Sequence, residues 1–314
     1  MFSIIPANSA AAAAGATQKA IFAYGDSTAG DNFVSLKNLV NSSGVIAADV
    51  TGVGTARGAL GAAGYGGDKA IFAYGAITGG SGVTSISNLV SNEGVVASDV
   101  TGVGTARSYP GSANYGGDKA IFAYGYDGSG RTAVSNLISN SGVVATDTAG
   151  VGIVRSGSTA VSYGEDKAIF AYGSNNAGNM ISTKNLVSNE GVIASDTSGA
   201  GTARYQMAAA SYGGDKAIYA FGYIQGSGTR VNTKNLVSNE GVIASDASGV
   251  GTARRLLAAA GYGEDKAVFA YGQTSSGLSS LSNLVSNSGV VASDVTGVGT
   301  ARLGLAAAGY STTA

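Results

Sequence analysis

The side chains that could do chemistry in this sequence recur as a fixed set. Asp68 beside Lys69, then Asp99, then Arg107 return at equivalent places in nearly every copy of a longer pattern. Six identical catalytic centres on one chain would be an odd enzyme. Aspartate at a turn bonds its own backbone, and arginine facing aspartate forms bidentate hydrogen bonds that tie neighbouring segments, so the expected role of Asp68, Lys69, Asp99 and Arg107 is structural. The string GVGTAR superficially offers a phosphate-cradling loop, but it lacks the full G-x-G-x-x-G spacing and no helix follows it. Hydrolysis by a carboxylate pair needs two acids in one pocket. The unrepeated acids Asp26, Asp31 and Asp127 lie in variable stretches with no evident partner.

The chain has no histidine and no cysteine. The commonest general base, the thiolate nucleophile and the usual zinc ligands are therefore missing, and the redox compartment stays open. The expectation is a protein without catalytic residues, metal or cofactor.

Charged residues are 12% and the formal net charge is -1, so nothing supplies the basic footprint a nucleic acid requires. Glycine contributes 51 of 314 residues, yet 44% of the chain is apolar, which places it among packed rather than disordered chains. No apolar run approaches the length of a membrane span. The opening MFSIIPANSA has no basic n-region and does not read as a secretory signal.

The elements that carry these residues follow from a repeat. KAIFAYG or a near copy begins at Lys19, Lys69, Lys119, Lys167, Lys216 and Lys266, spaced by 50, 50, 48, 49 and 50 residues. In the second copy four short segments stand out: Leu60 to Tyr65, Lys69 to Tyr74, Ile86 to Ser91 and Val95 to Val100. Each is rich in strand formers or small residues and is bounded by Gly, Asn, Ser or Asp. The Lys69 to Tyr74 segment is apolar on both faces and should be buried on both. Four-stranded units repeated at this period predict an all-β, six-bladed propeller of antiparallel blades over residues 10–314. A β-solenoid is the competing arrangement, but its coils are usually shorter. A surplus copy of the first segment, Leu305 to Tyr310, is expected to pair with Lys19 to Tyr24 and close the ring. That leaves residues 1–9 as an attachment arm with Phe2, Ile4, Ile5 and Pro6.

The copies differ only after AYG and after GVGTAR, and in an up-and-down blade both stretches emerge on one end. That end is the candidate binding surface, with Phe33, Tyr109, Tyr126, Arg131, Tyr205, Tyr223, Arg230 and Arg255 as the side chains suited to anchor a partner.

The unit resembles a kelch-type blade, though most copies lack the double glycine and all lack the outer-strand tryptophan. MFSIIPANSA, together with the DKAIFAYG and NLVSN wording, resembles virion proteins of tailed phages, cyanophages among them. The resemblance implies a non-enzymatic virion part: a tail fibre, baseplate appendage or capsid decoration. Its arm would bind other virion proteins, and its loop face would meet a host-surface glycan or protein. The alternative is an extracellular bacterial carbohydrate-binding propeller.

Overall fold

The structure, a computed structural model, describes residues 18–30, 32–77, 82–226 and 228–312. Among them there is no α-helix, and so none long and apolar enough to cross a membrane. Six three-stranded antiparallel sheets carry the repeat, with short two-stranded ribbons in some loops.

The middle strand of each sheet is the KAIFA segment: Gln18–Ala23, Lys69–Ala73, Lys119–Tyr126, Lys167–Ala171, Lys216–Ala220 and Lys266–Ala270. Its apolar residues are shut off from solvent on both faces, as their composition requires: Ala70, Ile71 and Phe72 are each 0% exposed. On one side it pairs with the third strand, as in Ile71 with Leu89 and Phe72 with Asn88. On the other it pairs with the small-residue first strand. The first strand of the sheet that begins at Gln18 comes from the chain's other end. Ala306–Ser311 runs antiparallel to Gln18–Ala23, with Ile21 opposite Ala308. This is the pairing that the surplus C-terminal copy predicts.

The fourth segment departs from expectation. It adds no full strand, and its backbone bridges the third strand at only two isolated places, Val90 with Val96 and Ser87 with Val100 in the second unit. The turn before it explains one recurrent glycine. Gly44, Gly94, Gly142, Gly191, Gly241 and Gly289 have φ between 75° and 82°, and a Cβ on any of them would come within 3.0 Å of a tyrosine ring of another unit or a leucine beside it.

The first strands, Gly61–Tyr65, Gly111–Tyr115, Thr159–Tyr163, Ala208–Tyr212, Ala258–Tyr262 and Ala306–Ser311, touch one another in cyclic order, the last returning to the first. All six line shared cavities. Alanine, glycine and serine let six backbones approach that closely: Ala62, Ser112, Ala160, Ala209, Ala259 and Ala307 face the same narrow space.

Aromatic and arginine side chains join sheet to sheet. Tyr24 meets Phe72, Tyr74 meets Phe122, Tyr124 meets Phe170, Tyr172 meets Tyr219 and Phe221 meets Phe269, and Phe22 with Tyr271 links the first sheet to the last. Their centroids lie 5.4–5.6 Å apart, in the tilted or edge geometry that ring quadrupoles favour. Tyr219 stands where the other units have phenylalanine, and its extra hydroxyl donates to the Ile169 carbonyl at 2.9 Å.

The six recurrent arginines are fully buried. Arg57 lies over the Tyr24 ring of the preceding sheet at 4.3 Å. It donates from Nη2 to Asn88 Oδ1 at 2.6 Å and from Nε to the Tyr74 carbonyl at 3.0 Å. Arg302 repeats this between the chain's two ends, over Tyr271 and onto Asn38 and Tyr24. The expected bidentate arginine–aspartate tie is thus corrected. The guanidinium spends its donors on asparagine and carbonyls, and the closest aspartate contacts, such as Arg204 with Asp246 at 3.3 Å, come from a single nitrogen. Asp99 instead accepts from the backbone N–H and hydroxyl of Thr55 and from Asn88. Lys69 pairs with its own neighbour Asp68 at 2.6 Å.

One unit breaks this pattern. Thr55, Thr105, Thr202, Thr252 and Thr300 each donate a hydroxyl to an aspartate, whereas Ile153 offers Asp196 only its backbone N–H at 2.9 Å. Ile153 is 40% exposed, so little apolar burial is lost on replacing it. Ile153→Thr is expected to stabilise the chain by about 0.5–1.5 kcal/mol, read as a rise in denaturation midpoint at unchanged m-value. A lowered midpoint would contradict the account.

The same hydrogen bonds set an acid limit. Burial alone would raise the carboxyls of Asp49, Asp99, Asp147, Asp246 and Asp294, but the threonine and asparagine donors and the nearby arginine charge together outweigh it and hold each below the ordinary 3.8. Folding therefore favours the ionised form. Its contribution is complete above the unfolded-state value and is lost as pH falls through the lowered ones. Stability in this respect should be level from neutrality to about pH 5 and drop below about pH 4. A thermal midpoint unchanged down to strongly acid pH would refute it.

Candidate functional site

The two variable stretches of every unit meet. Gly58 bridges Ala76, Ser108 bridges Tyr126, Tyr205 bridges Tyr223, Arg255 bridges Gln273, Asp26 bridges both Leu303 and Phe33, and Arg155–Ser156 pairs with Ser174–Asn175. They sit where the middle strands end, opposite the tight turns that join first to middle strands. The variation between copies is thereby concentrated at one end.

At the centre of that end six residues take the left-handed conformation: Ala59, Tyr109, Gly157, Gln206, Leu256 and Gly304, with φ from 53° to 62°. Their peptides are linked head to tail. Ala59 N–H donates to Gly304, Tyr109 to Ala59, Gly157 to Tyr109, Leu256 to Gln206 and Gly304 to Leu256, at 2.7–3.1 Å. These bonds explain why non-glycine residues hold a conformation that ordinarily disfavours them. Beneath lies a cavity of about 150 Å³ lined by Leu60, Met207, Leu257 and Leu305, with Ser158 and Gln206 among its polar groups. A second cavity, of about 220 Å³, opens at the tight-turn end.

The eight predicted side chains occupy four settings. Phe33 packs its ring where a Gly58 side chain would stand, and Tyr109 belongs to the central six. Tyr126 pairs across a hairpin with Arg131, and the Tyr126 hydroxyl donates to the Gly128 carbonyl at 3.0 Å. Arg131 reaches into the next unit, donating from Nε to Ser156 Oγ at 3.2 Å and from Nη2 to Ser174 Oγ at 3.1 Å.

The remaining four converge. Tyr205 and Tyr223 pack edge to face at 5.7 Å. The Arg255 guanidinium lies over the Tyr223 ring at 5.1 Å. Arg230 pairs with Tyr223 across its own short ribbon. Both arginines donate to one atom, Gln273 Oε1, from Arg255 Nε at 3.0 Å and Arg230 Nη2 at 3.1 Å. Gln273 was not singled out by sequence reasoning, and it belongs to a different unit from Tyr205, Tyr223 and Arg230. The asparagines under the arginines were missed too: Asn38, Asn88, Asn136, Asn185, Asn235 and Asn283 are 0% exposed. A polar residue recurring within the apolar third strand was their signal.

Residues 1–9, with Phe2, Ile4, Ile5 and Pro6, and also Asp31, lie outside the described residues. Among the described residues no three His, Cys, Asp or Glu side chains gather as a metal site. No protein-family model matches the chain, and no curated protein is similar to it.

Proposed function

We propose that the chain is a six-bladed β-propeller of kelch-like units, without catalytic activity, that serves in a virion as a structural or adsorption protein and binds through its loop-bearing end. The observation that carries the binding role is the meeting of both variable stretches of every unit at that end, above a repeated core of arginines and aromatics. A rigid core that repeats and an end that does not is the division of labour expected of a recognition scaffold. The virion assignment rests on the opening MFSIIPANSA and the repeat wording, and it makes residues 1–9 the contact to other virion proteins. Phe2, Ile4 and Ile5 place three large apolar side chains beside Pro6, which blocks a helix through them.

The test is a mass-spectrometric inventory of purified virions alongside a chain that starts at residue 10. Peptides of this protein should be present, and the shortened chain should fold with an unchanged melting temperature yet fail to join the particle. Absence from virions, or normal incorporation of the shortened chain, would reject the assignment. The Tyr205, Tyr223 and Arg255 cluster also suits a free extracellular sugar-binding propeller. Glycan binding with no virion association would favour that second reading.

A further inference from the structure

We propose that Arg230 and Arg255 form a recognition site for one anionic group, a carboxylate, sulfate or phosphate, carried on a saccharide. The inference rests on the reading of the loop-bearing end as a binding surface and names the chemistry it takes. Two guanidiniums that donate to the same amide oxygen repel each other, and a neutral glutamine does not neutralise them. Among the described residues neither arginine forms an ion pair. The flanking loops, residues 221–233 and 271–281, contain no Asp or Glu. Arg230 Nε is buried with no hydrogen-bond partner. An oxyanion seated between the two forks would accept from donors that Gln273 leaves unused and would balance the paired charge.

Arg131 shows the contrast. It stands on the same end, but serine hydroxyls occupy its Nε and Nη2. A nucleic acid would need a track of cations, and 18 basic against 19 acidic residues provide none. Tyr205 and Tyr223, half-buried beside the pair, add an apolar surface with hydroxyl rims that a sugar ring can rest against.

The full chain would be titrated, with NMR detection, against glucuronic acid, glucose 6-sulfate, glucose 6-phosphate, glucose and inorganic phosphate. Charged sugars should bind, glucose should not, and the tightest of the three identifies the anionic group. Arg230→Gln and Arg255→Gln should each weaken binding at least tenfold, while Arg131→Gln leaves it unchanged. Gln273→Glu guards against a loss of fold. It sets a carboxylate between the guanidiniums, and should keep or raise the melting temperature while abolishing binding. Binding of glucose as tight as that of the charged sugars, or binding that survives Gln273→Glu, would overturn the site. Inorganic phosphate binding as tightly as the charged sugars would overturn the saccharide. Because these titrations use the isolated chain, they stand apart from particle adsorption. Loop variants that adsorb normally would sink the surface reading while leaving the anion site intact.

Discussion

A chain ending at Arg302 is expected to lose most of its stability and to aggregate. Residues 303–314 contain the strand that pairs with Gln18–Ala23 over six residue positions. That strand also touches Gly61–Tyr65 on one side and Ala258–Tyr262 on the other. Its removal strips Gln18–Ala23 of one row of hydrogen bonds and leaves a bare edge beside a strand apolar on both faces, the arrangement most prone to pairing with another chain. Leu305 and Tyr310 are 5% and 3% exposed, and the loss of side chains of this size costs about 1.5–3 kcal/mol each. Tyr310 also packs against Gly94 of the second unit, and Leu305 lies in one core cluster with Ala258, Val268 and Tyr271 of the last, so both neighbouring units lose a surface. Against a whole-domain stability of about 5–15 kcal/mol, these losses are a large fraction. The expected readouts are a melting temperature lowered by more than about 10 °C, or precipitation, with rescue by a peptide of residues 303–314 added in trans. A truncated chain that melts like its parent would mean that Ala306–Ser311 is dispensable to the first sheet.

The repeat period and the two-faced apolar KAIFA segment were enough to place the middle strands, and the extra AAAGY copy was enough to find the partner of Gln18–Ala23. Both are statements about patterns that a strand's two-residue alternation makes visible. The choice between Asp and Asn as partner of the arginine was not visible. Asp99 and Asn88 recur at the same period, and only the register that sets Asn88 beside Phe72 brings its amide under Arg57. The fourth segment misled for a related reason. VVASDV alternates like a strand, but Asp99 accepts hydrogen bonds from Thr55, a residue of the crossover to its own unit, and the ladder survives only at Val96 and Val100. The Arg230 and Arg255 cluster joins residues 43 apart, Arg230 to Gln273, across two units. No spacing within one copy of the repeat could reveal it.

The second large effect is expected at the buried arginines, and it should be graded. Arg57 satisfies its guanidinium with Asn88, the Tyr74 carbonyl and the Thr55 carbonyl, and Tyr74 itself is held at a φ of 64°, a conformation that costs a bulky residue free energy. Arg57→Met would strand the buried Asn88 oxygen and the Tyr74 carbonyl, remove the cation from the Tyr24 ring, and take away the bond that helps to hold Tyr74 in place. A loss of about 3–5 kcal/mol is expected, from two stranded buried acceptors at about 1–3 kcal/mol each and the lost cation–ring contact. Arg155 offers the comparison. It lies over Tyr124 at 4.0 Å and bonds Asn185 at 2.6 Å, but its Nε and Nη1 are buried without hydrogen-bond partners, Nη1 facing the Asp196 carboxylate only at 3.9 Å. Those atoms already carry a desolvation cost of about 1–3 kcal/mol, which the smaller apolar side chain relieves. Arg155→Met should therefore cost about 1–2 kcal/mol less than Arg57→Met, although both arginines are equally buried and equally placed in the repeat. Chemical denaturation of the two variants decides the matter. Equal losses would show that burial of the guanidinium over its ring governs the effect. A larger loss at Arg155 would reverse the assignment of hydrogen bonding as the source of each arginine's contribution.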